Sequence, residues 1–111
     1  MPHMVISYAK PLEDQADIKK IVQTVWETAE KSGLFTPAAI KARALPIEHF
    51  VTGGSDQLFV HVEAKMFGGR TEEQKKTLTK SLFDAVSGLV KADVAVSAEA
   101  IDMDKATYTK S

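Results

Sequence analysis

The sequence predicts an α+β fold in which strands and helices follow one another in the order β-α-β-β-α-β. Three observations lead to it. Two stretches have helical spacing of apolar residues, four have strand character, and the second half of the chain faintly repeats the first. At an offset of 58 residues, Pro2-His3 matches Val60-His61. Two linked β-α-β units predict a split β-α-β subunit, with a four-stranded mixed sheet and both helices on one face.

The first half supplies a strand, a helix and a second strand. Residues 2–8 are rich in residue types that favour strands. Across residues 14–32 the apolar residues recur at i, i+3, i+4 and i+7, which predicts an amphipathic helix that ends at Gly33. Residues 40–50 predict a second strand, bent at Pro46.

The second half repeats this order after a turn. Residues 52–56 contain Gly53-Gly54, and residues 57–67 alternate as a third strand does, which predicts a hairpin between strands two and three. Thr71 and Gln74 have the spacing of a capping box, so a second helix is expected to begin there. Residues 94–103 predict the last strand, and we expect the polar tail 105–111 to fray or to pack on a partner.

Composition excludes several classes of function. The 111 residues fit one domain, residues 1–111. Without cysteine there is no thiol nucleophile, disulfide, Fe–S cluster or Cys-based zinc site, and the three histidines lack metal-ligand spacing, so no metal is expected. A net charge of −1 gives no electrostatic footprint for nucleic acid. With no signal peptide and no apolar run of about 20 residues, the chain is expected to be cytoplasmic and free of membrane.

Several strands look apolar on both faces, as in residues 2–6, 58–62 and 94–96. Two helices on one side of a four-stranded sheet leave its other side uncovered. A bare apolar face of that size would be sticky in a monomer. We therefore expect other copies of the chain to cover it, so the protein should be an oligomer.

Pro2 is the first candidate for chemistry. Initiator methionine is usually removed before a small residue, and removal of Met1 would leave Pro2 with a free secondary amine. Burial and nearby cations lower the pKa of an α-amino group from about 8, which would make this amine a general base near neutral pH. The alternative is a proline that merely begins a strand, where its missing N–H does no harm.

Three cations could bind an anionic ligand. Lys41 and Arg43 are two apart on one strand and share a face, and Arg70 precedes the cap of the second helix. Together they could bind carboxylates, the arginines bidentately. The alternative is a solvated strand face and an exposed loop arginine. Phe59 could line an apolar pocket or could belong to the core.

Five segments carry a resemblance to a known family. In order, and with similar spacing over nearly the whole chain, they resemble the 5-carboxymethyl-2-hydroxymuconate isomerase family of the tautomerase superfamily. These segments are Met1-Pro2-His3, Gly33-Leu34-Phe35, Ile40-Lys41-Ala42-Arg43, Phe59-Val60-His61 and Gly68-Gly69-Arg70-Thr71-Glu72.

The resemblance implies a tautomerase-like domain in a homotrimer that needs neither cofactor nor metal. It implies that Pro2, after loss of Met1, is the catalytic acid/base. Pro2 would convert an unsaturated 2-hydroxy (dienol) carboxylate to its 2-oxo isomer, in cytoplasmic degradation of aromatic compounds. Arg43 and Arg70 match catalytic cations of the family, and Lys41, Arg43, Arg70 and Phe59 would bind the small unsaturated di- or tricarboxylate substrate.

The chain departs from the family pattern at one position. Lys41-Ala42-Arg43 stands where the family has Arg-x-Arg, and lysine keeps the charge but loses the planar fork. This leaves the exact substrate open. The alternatives are a promiscuous tautomerase, a hydratase- or decarboxylase-like relative, or a non-catalytic oligomeric module that binds anions on the same scaffold.

Overall fold

A computed structural model describes all residues, 1–111. Four strands and two helices alternate as the sequence predicts. They are β1 (His3–Ala9), α1 (Ile18–Lys31), β2 (Lys41–Ile47), β3 (Phe59–Phe67), α2 (Glu72–Ser87) and β4 (Ala95–Met103). Short 3-10 turns at Lys10–Asp14, Pro37–Ala39 and Lys105–Thr107 complete the chain. No helix is long and apolar enough to cross a membrane.

The sheet has the strand order β2-β1-β3-β4. β1 is parallel to β2, β3 is parallel to β4, and β1 and β3 run antiparallel in the centre. Each helix connects two parallel strands, as such crossovers require. The predicted split β-α-β architecture is confirmed.

The predicted hairpin between β2 and β3 is wrong, because β1 lies between these two strands. Tyr8 of β1 pairs with Pro46 of β2 on one side and with Val60 of β3 on the other. The α1 crossover places β2 parallel to β1 along one edge of β1, and β3 pairs with the other edge of β1. Gly53 and Gly54 do form a tight turn, with φ of 58° and 80°, but it lies within the connection across the end of β1.

Local signals fix the ends of the helices. The Thr71 side chain accepts from the backbone N–H of Gln74, whose own side chain accepts from the backbone N–H of Thr71, so the predicted capping box is present. α1 begins later than residue 14, because Asp17 is its N-cap and Pro11 directs the preceding residues into a 3-10 turn. Gly33, with φ of 73°, ends the helical segment as predicted.

The core lies between the helices and one face of the sheet. The even-numbered residues of β1 and β3 point to this side because strand side chains alternate. A cluster of 16 buried apolar residues results, and it includes Met4, Ile6, Ile21, Val25, Val60, Val62, Leu78 and Leu82.

Truncation of one of these residues tests the packing. We expect Leu82→Ala to lower the free energy of unfolding by about 2–5 kcal/mol, because Leu82 is fully buried and its loss leaves a cavity. Its neighbour Phe83 is 39% exposed, so Phe83→Ala should cost about 1 kcal/mol or less. Urea unfolding of both variants measures this difference. Equal losses would contradict the assignment of the buried helix face.

The other face of the sheet is uncovered in the subunit, as expected, and it carries both apolar and ionisable side chains. Met4, Ile6, Val60 and Val62 all point toward the helices. Beside apolar residues such as Val5, Leu45, Phe59, Phe67 and Ile101, the open face carries a row of ionisable side chains. These are His3, Lys41, Arg43, His61, Glu63, Lys65 and Glu99.

Candidate active site

The topology brings four chain segments together at the amino-terminal end of β1. His3 pairs with Lys41 at the start of β2 and with Lys65 near the end of β3. β4 ends alongside β3, with Met103 paired to Phe67. The start of β2, the loop after β3 and the C-terminal tail therefore surround the beginning of the chain.

Pro2 is buried at this end. Its carbonyl oxygen accepts a hydrogen bond of 3.1 Å from the backbone N–H of Lys41. The pKa of the Met1 amino group, one residue earlier, is lowered from its ordinary value, first by partial burial and then by the charges of four cations. These cations, in decreasing order of effect, are Lys110, Lys41, Arg70 and Lys105. The beginning of the chain therefore lies in a cationic environment.

Arg43 and Lys41 lie on the open face of β2, next to His3. Arg43 Nη1 donates to His3 Nδ1 at 3.0 Å. His3 Nε2 lies 2.8 Å from the hydroxyl of Tyr108 in the tail. The pKa of His3 is lowered by partial burial and then by the charges of Arg43, Lys41, the chain terminus and Lys65. His3 therefore favours the neutral form between Arg43 and the tail.

Arg70 already has protein partners. Its guanidinium donates to the carbonyl oxygens of Phe67 at 3.1 Å and Leu34 at 2.8 Å, and it lies 4.9 Å from the ring centroid of Phe35. These contacts fasten the loop after α1 to the end of β3. They also hold the positive charge near the start of β1, where it is one of the cations that lower the pKa of the terminal amine.

Phe59 is not brought to this end within the subunit. It begins β3, which runs antiparallel to β1, so it lies at the opposite end of the sheet from Pro2. There it packs edge-on against Phe50, with ring centroids 5.5 Å apart. The aromatic residues at this end are instead Tyr108, whose ring centroid is 6.0 Å from that of His3, and Phe67, 5.2 Å from Tyr108. No local sequence pattern marks Tyr108 as a candidate for the site.

The second β-α-β unit repeats this arrangement with the opposite charge. His61 Nδ1 lies 2.7 Å from Ser97 Oγ, and His61 Nε2 lies 2.6 Å from Glu99 Oε2. On β4, Glu99 lies two residues beyond Ser97, which pairs with His61. On β2, Arg43 lies in the same way two residues beyond Lys41, which pairs with His3. Ligand atoms of His61, Glu63 and Glu99 lie within 4.8 Å of one another, and the His61–Glu99 pair links β3 to β4. Only the first unit presents cations beside a chain terminus.

The larger cavities lie elsewhere. A groove of about 560 Å³ runs between the end of α1 and the start of α2, where Thr28, Ser32 and Thr77 are among its lining residues. Two others, of about 480 and 210 Å³, lie beside residues 10–14 and 56–58. None of the three is lined by Pro2 or by the proposed binding residues Lys41, Arg43 and Arg70. In the isolated subunit these cations are arrayed around the start of β1 and line none of these cavities.

The fold is the tautomerase fold of known structures. A crystal structure of a 5-carboxymethyl-2-hydroxymuconate delta-isomerase superposes with a TM-score of 0.85 at 18% identity and covers 100% of this chain and 88% of that one. A 5-carboxymethyl-2-hydroxymuconate isomerase from Deinococcus radiodurans R1 gives 0.86 at 24% identity, covering 99% and 88%. A fused 4-OT symmetric trimer gives 0.77 at 14% identity, covering 98% and 93%.

Sequence comparison identifies the family within this class. The family model for 5-carboxymethyl-2-hydroxymuconate isomerase matches residues 2–111. The 5-carboxymethyl-2-hydroxymuconate Delta-isomerase of Escherichia coli is 25% identical over 88 residues, which are 78% of this chain and 70% of that protein. The chain belongs to the 5-carboxymethyl-2-hydroxymuconate isomerase family, and it is an isomerase.

Proposed function

We propose that the chain, after loss of Met1, converts an unsaturated 2-hydroxy (dienol) di- or tricarboxylate to its 2-oxo isomer, with the Pro2 amine as general acid/base. The observation that carries this proposal is the lowered pKa of the amino group at the start of β1. Removal of Met1 would move the amine one residue inward, to the buried Pro2, within reach of the same cations. An ammonium of lowered pKa there is a stronger acid, so more of the amine is free at neutral pH.

The proposed reaction moves one proton and needs no cofactor. The Pro2 nitrogen takes the proton of the 2-hydroxyl group, and negative charge develops on that oxygen and along the diene. The resulting ammonium returns a proton to a carbon atom further along the chain. The product is a 2-oxo acid with a shifted double bond, and the amine is regenerated. Cations around the oxygen stabilise the charge that develops there.

We assign the cations separate parts in this reaction. Lys41 and Arg43, on one face of β2, bind substrate carboxylates. Arg70 has two donors engaged by backbone carbonyls, so its main contribution is its charge beside the amine. Lysine at position 41 gives a point charge without a planar fork, which favours a carboxylate held less rigidly at that position.

We further propose that the active unit is a homotrimer. The uncovered sheet face and the lack of an enclosing pocket around Pro2 support it, as does the likeness to fused 4-OT proteins whose structures are symmetric trimers. Phe59, remote from Pro2 in its own subunit, would then line the site of a neighbouring subunit. Light scattering tests this proposal, and a monodisperse monomer would contradict it.

The pathway is proposed from the family name. Relatives bear the name of 5-carboxymethyl-2-hydroxymuconate isomerase, and we propose a matching role in cytoplasmic degradation of aromatic compounds for this chain. The alternatives remain a promiscuous tautomerase, a hydratase- or decarboxylase-like relative and a non-catalytic anion-binding module. They predict activity on other substrates or none.

A substrate panel tests the proposed function. Protein shown by mass spectrometry to lack Met1 should ketonise 2-hydroxymuconate-type dienols, with higher kcat/KM for dicarboxylates than for the matching monocarboxylates because two carboxylates can engage the cations. Ultraviolet absorbance follows the loss of the dienol. Hydration or decarboxylation products would favour the related activities, and absence of turnover on all dienols would contradict the proposal.

A further inference from the structure

The hydrogen-bond chain through Arg43, His3 and Tyr108 has a single direction. A guanidinium can only donate, so His3 Nδ1 must be the acceptor of the 3.0 Å bond from Arg43. In the neutral imidazole the hydrogen then resides on Nε2. That N–H donates to the Tyr108 hydroxyl oxygen at 2.8 Å. Both donors thus point from β2 toward the C-terminal tail.

This direction leaves the hydroxyl hydrogen of Tyr108 without an acceptor in the protein. The oxygen accepts from His3, and Tyr108 has no second side-chain hydrogen bond. The ring is held edge-on against Phe67, at 5.2 Å between centroids, and edge-on to His3 at 6.0 Å. The hydroxyl is therefore a positioned donor with no partner.

The tail places this donor at the cationic end of β1. Tyr108 directly follows the 3-10 turn Lys105–Thr107. Lys105 and Lys110, on either side of it, both lower the pKa of the terminal amine. The tyrosine is thus flanked by residues whose charges reach the amino group of Met1, one residue before Pro2.

We propose that the Tyr108 hydroxyl is a further catalytic residue, which donates a hydrogen bond to the oxygen that becomes negative during the reaction, and that His3 is its positioning residue. This inference rests on the proposed function. Tyr108 keeps its proton throughout, since Pro2 carries the transferred one. Aligned hydrogen bonds polarise one another, so donation from Arg43 through His3 strengthens Tyr108 as a donor. Such a donor acts on the charge of the transition state more than on the bound substrate.

Tyr108→Phe tests the hydroxyl alone, because the ring and its contact with Phe67 remain. We expect kcat to fall about 100-fold with KM changed by less than about threefold. The Pro2→Ala protein is assayed alongside. If Pro2→Ala loses activity and Tyr108→Phe keeps the kcat of the unmodified sequence, this inference is wrong while the proposed function stands. If Pro2→Ala and the methionine-retaining protein are both as active as the trimmed, unmodified sequence, the proposed function of the Pro2 amine itself fails.

Variants at position 3 test the positioning role. His3→Leu removes both hydrogen bonds that link Arg43 to Tyr108, and it should lower kcat as far as Tyr108→Phe does. His3→Gln offers an amide N–H to Tyr108 and should recover part of the loss. The double variant His3→Leu with Tyr108→Phe should be no worse than either single variant, because the two residues act as one unit. Additive losses would overturn the linked role.

The pH profile supplies a readout that a purely structural role would not change. Protonation of His3 places a hydrogen on Nδ1, which can then no longer accept the hydrogen bond from Arg43. Activity should therefore fall on the acid side of the pH profile. The groups that face His3 are Arg43, Lys41, Lys65, the chain terminus and Tyr108. Partial burial and then the positive groups among these hold the pKa of His3 below the ordinary 6.5. The midpoint of this loss therefore lies below pH 6.5. Protonation of the Pro2 base also lowers activity on the acid side, so His3→Gln should keep that loss and lack the additional step due to His3. A profile identical to that of the unmodified sequence would contradict the assignment.

Discussion

Replacement of Pro2 by alanine, in protein that has lost Met1, is expected to lower kcat for dienol ketonisation by about 10- to 100-fold. Alanine also leaves a terminal amine, so part of the general base remains, whereas a chain that retains its methionine has only an amide nitrogen at Pro2. That form should lose the full contribution of acid–base catalysis, about 10²- to 10⁴-fold. Stopped-flow absorbance of all three forms gives this order directly.

Two controls separate chemistry from folding. The one backbone hydrogen bond of Pro2 uses its carbonyl oxygen, which alanine retains, so thermal unfolding should be nearly unchanged. Pro37, at the start of a 3-10 turn, is a matched proline, and Pro37→Ala should keep the kcat of the unmodified sequence. Equal kcat in the trimmed, methionine-retaining and Pro2→Ala proteins would exclude the terminal amine as the base.

The second large effect is expected at Arg43. A hydrogen bond to a charged group contributes about 1.5–3 kcal/mol, so Arg43→Gln should raise KM by about 10- to 100-fold for a dicarboxylate. Because Arg43 also donates to His3, kcat should fall as well. Lys41→Gln should raise KM less, since a lysine makes no bidentate contact. Lys41→Arg restores the family pattern and should lower KM.

Lys76 provides the control for charge alone. It lies on the exposed side of α2 and pairs with Glu72 at 3.6 Å. Lys76→Gln removes the same charge as the variants on β2, and KM should not change. Steady-state kinetics with a dicarboxylate and its monocarboxylate counterpart complete the test. The assignment of β2 would be wrong if Arg43→Gln and Lys76→Gln gave the same KM for both substrates.

The sequence predicted most of the fold because its strong signals are local. The capping box at Thr71, the glycine after α1 and the alternation along β3 each act over a few residues, and the structure contains all three. The hairpin prediction failed because Gly53-Gly54 reports a turn but not which strands it joins. That pairing is a property of the whole sheet, in which β1 lies between β2 and β3.

The candidate site was predictable only in part. The first strands β1 and β2 begin at the end of the sheet where β3 finishes. This common end brings together Pro2, Lys41, Arg43 and Arg70. Phe59 looked equivalent to Phe67 in the alternating pattern, but antiparallel pairing with β1 sends them to opposite ends. Tyr108 is 105 residues from His3, beyond any local pattern. Only the topology indicates where Tyr108 lies. β4 is parallel to β3, which is antiparallel to β1, so β4 ends at the end of the sheet where β1 starts.

The most direct measurement of the central proposal compares one pKa in two experiments. Protein labelled with ¹⁵N-proline and lacking Met1 gives the pKa of the Pro2 amine by NMR titration, and the pH dependence of kcat/KM gives that of the catalytic base. We expect both to fall below the ordinary α-amino value near 8, for the same reasons that lower the pKa at Met1, and to coincide. A base pKa in the kinetics that differs from the Pro2 titration would contradict the proposal that this amine moves the proton.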